Sequence, residues 1–74
     1  MPRDRVSKDE VLKMLNKLKS ELKSVKANND FVRNIKAYIH DTEFFLEKGD
    51  YVLAFEAIVW AWAWFEIGKE IGKI

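Results

Sequence analysis

The sequence predicts an all-α chain folded as an up-down-up three-helix bundle, with antiparallel helical hairpins formed by helices at about 7–27, 30–48 and 50–72. Three observations predict it. Proline occurs only at position 2 and glycine only at 49, 68 and 72, so nothing breaks a helix between Ser7 and Lys48 except local turn chemistry. Apolar residues recur at alternating spacings of three and four along the first two segments, which is the period of one helix face. The links between segments span only a few residues, and links that short force neighbouring helices to run antiparallel.

Helix 1 opens on Ser7-Lys8-Asp9-Glu10, a capping box: the serine oxygen accepts from the Glu10 amide while the Glu10 carboxylate reaches back to the serine amide. Its apolar residues Val11, Leu15, Leu18, Leu22 and Val25 form a heptad seam that Met14 and Leu12 widen. Ala27-Asn28-Asn29-Asp30 follows as a turn, since asparagine tolerates the left-handed conformation, and Asp30 is expected to cap helix 2. Helix 2 repeats the seam with Phe31, Ile35, Tyr38, Thr42 and Phe45, beside a second row of Val32, Ile39 and Leu46. Gly49 suits the left-handed residue that ends it, and Asp50 is placed to cap helix 3.

Helix 3 holds all three tryptophans, and only Glu56 and Glu66 interrupt its apolar residues between Tyr51 and Ile67. Ala54, Ala57, Ile58, Ala61, Phe65, Gly68 and Gly72 share a face of mostly small side chains, expected to pack inside the monomer. Leu53, Trp60, Trp64, Ile67 and Ile71 form a bulky face beside it, while Tyr51, Phe55 and Trp62 flank the small face on its other side. Glu56, Glu66, Glu70 and Lys73 keep a narrow polar arc. Helices 1 and 2 offer about one seam each, too little to cover so much apolar surface. The surplus, together with Phe44 projecting away from the helix 2 seam, predicts a protein contact made by Trp60, Trp64, Phe44, Trp62, Phe55 and Ile67.

Length and composition narrow the function. A single domain of 74 residues, with residues 1–6 expected as a flexible N-terminus, buries only about 60% of the surface its unfolded chain exposes. Without cysteine there is no disulfide and no thiolate metal site, so the remaining sources of stability are idealised helix packing or oligomerisation. The charged start carries no signal peptide, so a cytoplasmic location is expected. The apolar run 51–67 has 17 residues and two glutamates, short of the roughly 20 a bilayer span needs, so no membrane helix is expected. Residues 1–40 carry ten Lys/Arg against five acids and residues 41–74 three against seven, an asymmetry that suits helix pairing or subunit contact without nucleic acid. Missing glutamine and cysteine, with abundant lysine and glutamate, is a composition found in hyperthermophile proteins.

The order Tyr38-x-x-Asp41, Phe44-Phe45, Gly49-Asp50, Ala54-x-Glu56-Ala57, Trp60-Ala61, Trp64-Phe65-Glu66, Gly68 and Gly72 resembles the archaeal Domain of Unknown Function 357 family. Trp60 stands where the family pattern has tyrosine, Ala63 where it has glycine and Glu66 where it has aspartate. The resemblance implies a small helical fold and no established activity. Phe45 to Ala61 also looks like the helical hairpin of tetratricopeptide modules, in packing only, because the chain has no 34-residue repeat.

Four side chains are candidates for a polar site: Asp41, Glu56, Arg33 and His40. An arginine and a histidine seven residues apart resemble the nuclease motif of the higher-eukaryote-and-prokaryote nucleotide-binding (HEPN) helical domains, but the same spacing describes a solvated helix face. Asp41 is expected to accept from a buried tyrosine or tryptophan, and Glu56 to be solvated or paired with a lysine. A divalent cation held by Asp41 and Glu56 is conceivable but weakly supported, since hard cations need several converging oxygens and spacing alone does not show them. Lys8, Lys19, Lys23 and Lys26 line one flank of helix 1, with Lys13 and Lys17 behind. A nearly neutral chain whose aromatics lie on other helices argues against nucleic acid. The sequence therefore predicts no catalytic residue, no metal and no cofactor. Its leading reading is a non-enzymatic interaction or oligomerisation module, a homodimer or the partner of another protein. The alternative is a small nucleotide- or RNA-binding protein using Arg33, His40 and the helix 1 lysines.

Overall fold

Three helices, α1 (Lys8–Leu22), α2 (Asp30–Glu47) and α3 (Tyr51–Glu70), form an all-α three-helix bundle in a computed structural model that describes residues 7–74. The segment 1–6, expected to be flexible, lies outside the described residues. Each helix starts on a short polar side chain that takes up an orphan amide. Ser7 Oγ accepts from the Glu10 amide at 3.0 Å and Asp50 Oδ1 from the Leu53 amide at 3.1 Å. The cap of α2 corrects the sequence reading. Asn29 rather than Asp30 caps it, its Oδ1 accepting from the Val32 amide at 3.1 Å, while Asp30 is the first helical residue and pairs with Arg33.

The helix ends follow from glycine where glycine is present. Gly49 and Gly72 have φ of +77° and +74°, the left-handed conformation in which a residue without Cβ is unstrained. Around them Asp50 and Lys73 donate their amides to the carbonyls of Phe45 and Gly68, closing the last turns of α2 and α3. Helix α1 lacks such a glycine and stops at Leu22, short of the expected residue 27. There the amides of Lys23 and Val25 bond back only three residues, and the Ser24 hydroxyl donates to the Glu21 carbonyl. A serine side chain that competes for a helix carbonyl favours a turn. Helix α3 likewise ends at Glu70 rather than 72.

The core lies between the three helices and is built from Val11, Leu15 and Leu18 of α1, Ile35 and Ile39 of α2, and Ala54, Ile58, Ala61 and Phe65 of α3. Helix α2 buries Val32, Ile35, Ile39 and Thr42, so its inward line runs between the two rows of the sequence reading and leaves Phe31, Tyr38 and Phe45 half-buried at the border. The buried Thr42 hydroxyl donates to the Tyr38 carbonyl at 2.8 Å. Alanines on the inner side of α3 let α2 approach closely, whereas α1 rests on this pair through longer side chains. By length and composition alone α3 could cross a membrane, with a mean hydropathy of 1.3 over its best 18-residue window, although 33% of that window is buried in the bundle. The apolar run 51–67 is by itself too short for a span, but the helix continues to Glu70.

Candidate functional site

The outer side of α3 carries Val52, Leu53, Val59, Trp60 and Ile67, continued by Ile71 at its C-cap, all large, apolar and exposed. Trp60 is 57% exposed and Ile67 51%. Glu56 is exposed among them, with Val52, Leu53, Val59 and Trp60 one turn before and after it on the same side. Its surroundings are apolar. The Trp60 indole stacks on the Tyr38 ring with centroids 6.5 Å apart and planes at 19°, so α2 holds the ring in place while over half of it stays exposed.

The other residues expected at the contact divide into two groups. Phe55, Trp62 and Trp64 are half-buried and pack against the core. Trp62 donates its Nε1–H to the Met14 carbonyl at 3.0 Å and meets Phe65 edge-on at 5.6 Å, tying α3 to α1. Trp64 meets Phe31 edge-on at 5.0 Å, tying α3 to α2. Phe44 is 49% exposed, but it lies on α2 in a shallow depression of about 260 Å³ shared with His40, Glu43 and Glu47. The Lys48 ammonium stands 5.4 Å from its ring centroid.

The polar candidates do not converge. Arg33 engages Asp30 one turn earlier on α2, and His40, two turns away, faces Glu43 and Glu47 across that depression. Asp41 is exposed, and the indole N–H of Trp62, the kind of donor expected for it, bonds to Met14 instead. Among the described residues no three side chains of His, Cys, Asp or Glu group so as to hold a metal ion. The lysines of α1 sort by neighbour. Lys19 pairs with Glu43 at 2.8 Å, and Lys19, Lys23 and Lys36 border a shallow groove of about 280 Å³ floored by Leu22 and Ile39. Lys13 and Lys17 border another, of about 300 Å³, with Met14 and Trp62. Sequence reasoning missed Lys36, although its spacing of three from Arg33 and four to His40 already put all three on one side of α2.

A family model described as a protein of unknown function (DUF357) matches residues 8–74. A crystal structure of a protein from Archaeoglobus fulgidus that carries the same family designation is 54% identical, with a TM-score of 0.83 over 88% of this chain and 86% of that one. No curated protein matches the sequence.

Proposed function

We propose a non-enzymatic role for this chain, which belongs to the DUF357 family of proteins of unknown function: it is a helical module that self-associates through the outer side of α3. The observation that carries the reading is five large apolar residues exposed on one helix of a 74-residue chain, with Ile71 at its C-cap extending the row. Contiguous apolar surface of this kind marks sites of protein contact. A domain this small also gains stability by burying such a face against a second one. Trp60 supplies the anchor, because a tryptophan already held by a neighbour loses little freedom on association and fills a large area.

Light scattering after gel filtration at micromolar concentration tests this. The expected mass is twice 8.7 kDa for the native chain. Trp60→Ala should shift the population toward the single-chain mass with its helix content retained, because the ring is a major part of the exposed face and no part of the buried core. A native chain that scatters as 8.7 kDa at every concentration overturns the reading.

A further inference from the structure

The exposed side of α3 is ordered as well as apolar. Leu53, Trp60 and Ile67 are seven residues apart, and Glu56, Ala63 and Glu70 each follow one of them by three. The apolar members are thus spaced by a heptad, as at one position of a coiled-coil seam, while the intermediate position is Ala63 at the centre and a glutamate toward either end. Leu53, Trp60 and Ile67 remain exposed, with the Trp60 ring resting by one side on Tyr38 of α2 and Ala63 half-buried between them.

We infer that the occupant of this seam is a second copy of the chain, with α3 packed antiparallel on α3 about a two-fold axis and each Trp60 seated over Ala63 of the other copy. The inference rests on the self-association reading above, and three features select the arrangement. In an antiparallel seam with residues 53–70 of each helix overlapping, Leu53 faces Glu70, Glu56 faces Ile67 and Trp60 faces Ala63. The bulkiest residue of the seam thus meets the smallest, the condition for dense interdigitation. A shift of one heptad would set Trp60 against Glu56 or Glu70 and leave about one and a half or two and a half turns of each helix unpaired. Charge selects the same direction, because no seam glutamate opposes another in this register, whereas a parallel pair would stack Glu56 on Glu56 and Glu70 on Glu70. Finally, a two-fold contact uses the same patch on both copies and closes at two, so it creates no open-ended fibre.

The chain has no cysteine, so engineered thiols report the register without background. Glu56→Cys combined with Ile67→Cys should form a covalent dimer under mild oxidation at least tenfold more efficiently than either single variant. Both positions are exposed and outside the core, so the fold tolerates them. In the antiparallel register two copies of residue 56 lie about 16 Å apart along the axis, beyond the reach of a disulfide. Ala63→Leu provides a second measurement: it should weaken dimerisation at least tenfold, by filling the place of the partner's Trp60, with circular dichroism unchanged. Efficient cross-linking of Glu56→Cys alone, a double variant no better than the singles, or an Ala63→Leu chain that dimerises normally would each overturn the register while leaving self-association intact. A native chain that is monomeric by light scattering overturns both, and one that is monomeric yet sediments with phosphatidylcholine vesicles assigns the face to a bilayer surface instead.

Discussion

The two sides of α3 are both apolar and meet opposite fates. Toward α1 and α2 the helix presents Ala54, Ala57, Ile58, Ala61, Phe65 and Gly68, all buried; away from them it presents Val52, Leu53, Val59, Trp60, Ile67 and Ile71, all exposed. Hydrophobicity does not separate the two sets. Side-chain size does, since the methyl groups and the glycine bring the α2 backbone close and leave room for only two large residues, Ile58 and Phe65. The outer set has the reverse character, large groups with no third helix to receive them.

If the inner side is a close-packed core, the largest loss should come from the side chain of α1 that fills it most completely. Leu18 has no exposed surface. Leu18→Ala should cost about 2–5 kcal/mol, the transfer term plus the cavity, and in a domain of this size that is much of the total stability. Thermal melting followed by circular dichroism gives the answer. An unchanged midpoint would mean that α1 is not seated on the hairpin as described, and the contrast between the two sides of α3 would lose its basis.

A smaller effect sharpens the contrast. Ala61 has no exposed surface and lies on the side facing α2, whereas Ala63, two residues on, is half-buried and belongs to the outer seam. Ala61→Leu should overpack the bundle and destabilise the folded chain by about 1–3 kcal/mol, because three added carbons have no void to enter. The same replacement at Ala63 should leave unfolding of the single chain nearly unchanged in urea titrations performed at high dilution. Equal destabilisation by both would mean that the outer side is packed within the monomer after all.

Much of this was legible in the sequence, and the misses share one cause. The helix count, the caps at Ser7 and Asp50, and the small face from Ala54 to Gly68 depend on neighbours within four residues, so local spacing sufficed. Gly72, expected on that face, is exposed and lies past the end of α3, where its left-handed backbone closes the last turn. The end of α1 and the cap of α2 did not yield to local spacing. Asn29 and Asp30 are both good caps, and nothing local ranks them. The deciding partner is 44 residues away: the Asn29 amide nitrogen donates to the Lys73 carbonyl at 2.7 Å while its oxygen caps α2. An ionised carboxylate, which has no proton to donate, could not do both. The half-buried state of Trp62 and Trp64 was hidden for the same reason, since each is fixed by a residue of another helix, Met14 in one case and Phe31 in the other.

That double use of Asn29 gives the smallest and most selective test, because it joins the start of α2 to the end of α3, where the inner side terminates. Gly68 lies under this junction: a Cβ there would stand 3.1 Å from Ile74 Cδ1 and 3.2 Å from Phe31 Cδ2, so the chain end folds back over the glycine. Asn29→Asp keeps the oxygen that accepts from Val32 and adds a negative charge at a helix N-terminus, which is favourable, but it removes the donor to Lys73. Asn29→Ala removes both bonds. The expected costs are about 0–1 kcal/mol for the aspartate and about 1–2 kcal/mol for the alanine. Amide hydrogen exchange distinguishes the two contributions: in Asn29→Asp protection should fall at Lys73 and Ile74, whose amides bond to the Gly68 carbonyl, and persist at Val32. In Asn29→Ala it should fall at both ends. Loss of protection at Val32 in both variants would mean that the cap needs the latch, and that the end of α3 and the start of α2 form one cooperative unit.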